Sequence, residues 1–276
     1  MSLEGGKITE LAPGVRRLLA PNPSMMTGPG TNTYLLGNKE IAVIDPGPAL
    51  PKHIDAIQEF AGGPIKWIFV THTHPDHSPA SAILAEATGA DQYGRMPPQG
   101  RHQDQSFAPD HILADCDVFE TGEFSLQAIH TPGHASNHLC YLHQGEDFLI
   151  TGDHIINGST VVIDPPDGSM GDYLRSLERL RSMSIAAILP GHGEVIDDPQ
   201  EAVDWLINHR LQRESKIVAA LEQQPDSTSR ELVPLVYEDV HPKLYELAEH
   251  SLLAHLIRLE EESLATMENG RWRLVG

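Results

Sequence analysis

Thr71-His72-Thr73-His74-Pro75-Asp76-His77 is the stretch on which the reading of this chain turns. Three imidazoles and a carboxylate fall between His72 and His77. Before it, Trp67-Ile68-Phe69-Val70 is apolar and β-prone and predicts a buried strand. After it, Pro79 to Ala87 is Ala-rich and predicts a helix. The cluster therefore occupies a strand-to-helix turn, where a rigid scaffold on both sides holds binding groups still. His72 and His74 are two apart, so on extended backbone they point the same way. Pro75 ends that extension and redirects Asp76 and His77. Two ligand sets follow, aimed at neighbouring points. Imidazole and carboxylate suit zinc, and also iron or manganese. A merely solvated polar turn is disfavoured, because such groups repel protons and each other unless a cation lies between them.

The turn sits in a chain of 276 residues, 40% of them hydrophobic, enough for one large domain or one domain with a small companion. No apolar run approaches membrane-spanning length, and Met1 to Glu10 lacks the layout of a secretory signal. Cys116 and Cys140 form no C-x-x-C pair, which fits a reducing cytoplasm. The net charge is −20, which disfavours attraction to phosphate backbones and anionic membranes. Sixteen histidines are many for this length, as a metal protein would show.

The strand-then-ligand grammar recurs along the chain. Val15 to Leu19 and Thr33 to Leu36 predict strands, joined by a Pro, Gly, Ser and Met loop from Pro21 to Asn32. Ile41 to Asp45 predicts a buried strand that ends in a carboxylate, and Pro51 to Phe60 a helix. Asp45 either caps that helix or accepts from a ligand imidazole; both remain open. Phe124 to Ile129 runs into Thr131-Pro132-Gly133-His134, Phe148 to Ile150 into Thr151-Gly152-Asp153, and Ile185 to Leu189 into Pro190-Gly191-His192. Each strand delivers one metal-type ligand beside a Gly or Pro that lets the backbone turn. His154 points away from Asp153 and reads as a neighbour. His138, four after His134, either backs a ligand or faces substrate.

Asp45, His72-x-His74-x-Asp76-His77, His134, Asp153 and His192 resemble the ordered motifs of the metallo-β-lactamase superfamily. The resemblance spans roughly residues 10 to 198. It implies an α/β fold, the αβ/βα four-layer sandwich of two mixed sheets with helices outside. It implies two divalent ions, zinc first and iron or manganese as alternatives. His72, His74 and His134 would hold one, Asp76, His77 and His192 the other, with Asp153 bridging. Two such ions sharing one water would lower its pKa to about 7 and make a bridging hydroxide. Asp76 is the candidate to move a proton. True β-lactamases of this superfamily usually carry Cys or Ser at the Asp153 position, so this chain points toward the glyoxalase-, lactonase- and nuclease-like branches.

A second unit is expected from Gln200 on, giving domains 1–199 and 200–276. Gln200 to Gln224 carries apolar residues at helical spacing, Thr228 and Glu231 a capping-box pattern, and Lys243 to Glu262 another helix. Asn269-Gly270 between two β-prone runs signals a hairpin. Three helices and a hairpin resemble a winged helix. On this catalytic domain they resemble the beta-lactamase-like protein 2 group, whose animal members are endoribonucleases. Residues 200–276 carry 8 Lys and Arg against 14 Asp and Glu, so duplex DNA is not an expected partner. A packing or dimerisation module, or a wall of the cleft, fits that charge better. The expectation is a cytoplasmic metal-dependent hydrolase of a small ester, thioester or lactone. Single-stranded RNA is the alternative substrate, and a non-catalytic regulatory protein a third reading.

Overall fold

Alternation along the first strands puts two apolar faces on one sheet. Tyr34, Leu36, Ala42, Ile44 and Phe69 join one core cluster, while Leu18, Leu35, Ile41, Val43 and Ile68 join another. A strand buried on both sides reads as a continuous apolar run, which is what Ile41 to Ile44 shows. The computed structural model describes residues 3–100 and 102–275; Gln99 to Asp110, polar and without periodicity, predicts a surface loop, and its Arg101 lies outside the described residues.

The first sheet has seven strands in chain order: β1 (Ile8–Ala12), β2 (Val15–Leu19), β3 (Asn32–Leu36), β4 (Ile41–Ile44), β5 (Ile65–Phe69), β6 (Asp91–Gly94) and β7 (His111–Ile112). Pairing is antiparallel from β1 to β4 and parallel from β4 to β7. The second sheet orders β12 (Ala187–Pro190), β11 (Phe148–Gly152), β10 (Leu139–His143), β9 (Ser125–His130) and β8 (Val118–Glu120), with only β11 and β12 parallel. Both sheets are therefore mixed, as expected. Leu126, Ala128, Leu139, Tyr141, Ile150 and Leu189 of the second sheet complete the core that Tyr34, Ile44 and Phe69 begin. Helices α1 (Pro51–Ala61) and α2 (Ala80–Thr88) cover the outer face of the first sheet through Ile54, Ile57 and Leu84. Strands β1, β6, β7, β8 and β10 were not legible in sequence. Asp91-Gln-Tyr-Gly and His111-Ile112 have little β pattern of their own, and pairing with a neighbour decides such segments.

His53 of α1 is buried, and its Nε2 lies 2.9 Å from Thr33 Oγ1, whose own proton goes to the Asp45 carbonyl. Thr33 therefore accepts from Nε2–H. Burial pushes its pKa down to about 4. The folded state then binds fewer protons than the unfolded chain between about pH 6.5 and 4, so this residue costs stability as pH falls through that window. His53→Gln is expected to shrink the loss of unfolding free energy between pH 7 and 4.5 by roughly 2 kcal/mol relative to wild type. Denaturant unfolding at both pH values checks it; equal losses would show that His53 titrates normally.

By packing, the chain forms two units. One holds the residues up to 131 together with 137–159 and 184–199. The other holds 132–136, 160–183 and the residues from 200 on, and so takes in two segments that lie within 1–199. Its helices are α3 (Met170–Arg181), α4 (Pro199–Gln223), α5 (Ser229–Val236) and α6 (Tyr245–Glu261), followed by the hairpin β13 (Ala265–Glu268) and β14 (Arg271–Leu274). Thr228 and Glu231 form the expected capping box. Asn269 and Gly270 both take positive φ, 52° and 76°, as the hairpin turn demands. Ile217, Leu221, Leu232, Val236, Leu252, Leu256 and Trp272 make a separate core. Arg213 is buried with its guanidinium 4.3 Å from the Tyr237 ring centre and paired to both oxygens of Asp239. Among the described residues no helix is long and apolar enough to cross a membrane.

Candidate metal centre

Strand ends build the centre. β4 ends at Ile44, and Asp45 follows in the left-handed region with φ 49°, a conformation Asp tolerates better than most residues. The turn aims its buried carboxylate at the start of the histidine-rich stretch. Oδ1 accepts from the Thr71 backbone N–H and Oδ2 from the Thr71 hydroxyl, both at 2.7 Å. Oδ2 also lies 2.8 Å from His77 Nδ1. Of the two readings open for Asp45, the structure therefore selects the imidazole acceptor. Helix α1 begins at Leu50 without any side-chain cap.

The hydrogen bonds then fix tautomers. His77 donates through Nδ1, so Nε2 carries the lone pair. The Thr71 hydroxyl gives its proton to Asp45, so it accepts from His72 Nδ1 at 3.0 Å. His72 Nε2 is thereby left to ligate, and it lies 3.0 Å from His74 Nδ1. One buried carboxylate orients two imidazoles, the arrangement that metal-ligating histidines usually have. His192 Nδ1 meets the Gly30 carbonyl at 3.1 Å, which turns Nε2 toward Asp76 Oδ2 and Asp153 Oδ1, each at 3.2 Å.

His72, His77 and Asp153 form one group whose candidate ligand atoms lie within 4.8 Å of each other. Asp76, His77 and His192 form a second. His134 lies on the turn 132–136 of the other unit. Its Nδ1 is 2.7 Å from the Val162 carbonyl, so Nε2 is the nitrogen with a lone pair to present. Among the described residues, His77 Nε2 is wholly buried and makes no hydrogen bond. It faces Asp153 Oδ1 at 3.3 Å and Asp76 Oδ2 at 3.6 Å. A buried imidazole lone pair aimed between two carboxylates fits a cation.

Charge balance says the same. Burial alone would push His77 down, but Asp76, Asp153 and Asp45 outweigh it and hold it well above the usual imidazole value. Burial lowers His192 too, and Asp153 and Asp76 bring it up to about 10. Asp153 is raised by burial and held well below the usual carboxylate range by His192 and His77. Protons on these imidazoles stand where divalent cations would displace them.

The backbone is shaped to the same end. Gly152 has φ 46°, and a Cβ there would meet Thr71 Oγ1 at 2.4 Å. Asp153 follows directly and leads back to the centre. His138 backs His72, their ring centres 4.9 Å apart and stacked, and its Nδ1 lies 3.0 Å from Thr131 Oγ1. His154 is fully buried, its ring centre 5.8 Å from that of His138. Thr71, Thr31 and Asn22 were not singled out in sequence. Asn22 clasps Thr31 through two hydrogen bonds, 2.9 and 3.0 Å, and Thr31 Oγ1 reaches Asp76 Oδ2 at 3.4 Å. Isolated Thr and Asn residues give no signal until the loop closes.

Comparison with known proteins agrees with this geometry. A family model described as "Metallo-beta-lactamase superfamily" matches residues 26–192, and one described as "Beta-lactamase associated winged helix domain" matches 228–272. The "Beta-lactamase-like protein 2 homolog" of Drosophila melanogaster is 32% identical over 92% of this chain and 90% of its own length. The "Atrochrysone carboxyl ACP thioesterase" of Aspergillus chevalieri is 31% identical over 98% of this chain and 89% of its own. A beta-lactamase domain protein from Burkholderia ambifaria superposes with a TM-score of 0.86 at 20% identity, covering 99% of this chain and 95% of that one, which shows a shared fold. With both family models matched and a relative 32% identical over most of the chain, the chain belongs to the metallo-beta-lactamase superfamily, in the group that carries a beta-lactamase-associated winged helix domain.

Proposed function

We propose that this protein is a dinuclear metal-dependent hydrolase of small acyl substrates, thioesters first, with esters and lactones as related substrates. Residues 1–199 supply the catalytic domain and 200–276 an appended winged-helix-like unit. His72, His74 and His134 would hold one divalent ion, Asp76, His77 and His192 the second, and Asp153 would serve both. Seven ligands exceed the four that one zinc usually takes. When bound, such ions supply Lewis acidity and an activated water. The chain's own groups do the rest. Asp45 and Thr71 hold the His72 and His77 rings in their ligating tautomers. Asp76, partly exposed and steadied by Thr31, takes a proton from the attacking water at Oδ2 and returns it to the departing thiol or alcohol. The products are the free acid and that thiol or alcohol.

The observation that carries the substrate choice is the fate of the arginines. An RNA strand needs a cationic track. Arg16 is spent on the carbonyls of Phe60, Ala61 and Gly37, and buried Arg17 on Glu194 at 2.9 Å. Arg175 pairs with Asp172 at 2.7 Å, and Arg181 with Asp204 at 2.7 Å. A small substrate needs only a pocket. The exposed Met25 and Met26, on the loop that ends at Thr31, offer an adaptable apolar wall. The relatives named as carboxyl ACP thioesterases support the thioester reading. RNA remains the second reading, favoured by the winged helix match.

Full-chain protein loaded with zinc, manganese or iron is expected to carry two ions per chain by elemental analysis. Its kcat/KM should be higher for a thioester than for single-stranded RNA. RNA cleaved more efficiently than every thioester, ester and lactone tried, and lost in His74→Ala, would reverse the order. One ion per chain after full reconstitution would remove the dinuclear assignment.

A further inference from the structure

We propose that the C-terminal helical unit is a positioning device for His134, acting through the strap of residues 161–164. This rests on the reading of His134 as a metal ligand. It gives the appended unit a task that its acidic charge does not obstruct.

The strap is what His134 leans on, since its Nδ1 donates to the Val162 carbonyl at 2.7 Å. That bond sets the tautomer and the ring direction, as the outer partner of a ligating histidine does. The residues flanking Val162 are each tied to α4 or α6. Arg210 of α4 donates through Nη2 to the Val161 carbonyl at 2.5 Å. The Ile163 N–H donates to Ser251 Oγ of α6 at 3.3 Å. Asp164 Oδ1 receives His250 Nδ1, also of α6, at 2.6 Å. Three successive anchors come from two helices, so the Val162 carbonyl has no freedom of its own.

The turn that carries His134 is gripped in the same way. Gly133 has φ 146°, and a Cβ there would lie 2.4 Å from Tyr173 Cα. The backbone of the turn is therefore pressed against α3 at a point only glycine fits. The Gly133 carbonyl accepts from Ser169 N–H and the Pro132 carbonyl from Ser176 Oγ, both at 2.8 Å. Ser136 Oγ donates to Asp167 Oδ1. Arg210 connects strap and helix, because its guanidinium also lies 5.2 Å from the Tyr173 ring centre. A turn of five residues with this many ties is held as part of that unit. The winged-helix-like region and the direction of one ligand are thus mechanically coupled.

The test uses the full chain, stripped of metal and titrated with zinc against a chromophoric chelator. His250→Leu and Ser251→Ala are expected to weaken zinc binding by more than about threefold and up to about tenfold, since they free the Val162 carbonyl, the outer partner whose own loss costs about tenfold or more. His250→Asn keeps a donor near the Nδ1 position and should stay within about threefold of wild type by the same logic. Lys216→Ala, on the same unit but exposed, should change nothing. Long-range ¹H–¹⁵N spectra of the zinc-loaded chain give a second readout. The His134 ring signal, identified by its loss in His134→Asn, should shift in His250→Leu and not in His250→Asn. Wild-type affinity and an unshifted signal in both His250→Leu and Ser251→Ala would overturn the inference while leaving the metal centre standing. Weaker zinc with an unshifted signal and a lower unfolding temperature of the metal-free variants would also overturn it, as mere loss of stability. Wild-type protein that binds zinc no better than His72→Ala would take down the metal reading itself, and this inference with it.

Discussion

Replacing Asp153 by alanine is expected to lower thioester hydrolysis by roughly 10³-fold or more, which corresponds to about 4 kcal/mol of lost transition-state stabilisation. The metal-free fold should survive. Asp153 Oδ1 stands 3.3 Å from His77 Nε2 and 3.2 Å from His192 Nε2, and its group also includes His72. In the proposed centre it is the carboxylate that would serve both ions. The core behind it is built by Leu149 and Ile150 of β11, which the substitution leaves alone. Thermal unfolding of the metal-free variant should still show one cooperative transition, at a lower temperature than wild type, because buried His77 and His192 each lose a carboxylate partner. Full activity with unchanged metal content would show that the bridging assignment is wrong.

Asp45→Ala should fail through stability as well as metal. The buried carboxylate accepts from the Thr71 N–H, the Thr71 hydroxyl and His77 Nδ1. Alanine leaves three buried donors, at about 1–3 kcal/mol each, so a loss of roughly 3 kcal/mol or more is expected. The left-handed backbone at φ 49° adds to this, because alanine resists it. An unfolding temperature lower by about 10 °C should result. Zinc affinity should fall 10- to 100-fold as His77 and His72 lose their fixed tautomers. Asp45→Asn separates the two effects. It keeps the shape and one acceptor oxygen, so it should unfold above Asp45→Ala. Its NH₂ group nevertheless cannot accept from both Thr71 and His77, so the metal loss should persist. Calorimetry with chelator competition decides: an Asp45→Ala chain as stable and as metal-avid as wild type would mean that Asp45 does not orient the imidazoles.

The division of labour between sequence and tertiary structure follows from how far each signal reaches. Trp67 to His77, Phe148 to Asp153 and Ile185 to His192 each put a buried strand, a turn-former and a candidate ligand within a few residues. Such a pattern is local, and hydrophobic period, Pro and Gly are enough to read it. For the same reason the Thr228 capping box and the Asn269-Gly270 hairpin were legible, while the two mixed sheets came from the resemblance that the ordered motifs carry. What the sequence could not determine depends on residues far apart in the chain. Asp45 reaches Thr71 and His77 across about thirty positions, so only the paired ends of β4 and β5 decide between helix cap and imidazole acceptor. Strand β6, paired with β5 and β7, and the edge strand β7 exist because a neighbour satisfies their backbone groups, not because Asp91-Gln-Tyr-Gly favours extension. His250 lies 86 residues from Asp164, and His134 is 28 from Val162. No spacing rule links such pairs. The candidate ligands were legible because they cluster at strand ends; the residues that aim their rings were not, because hydrogen bonds that fix a tautomer are made in space after the chain has closed on itself.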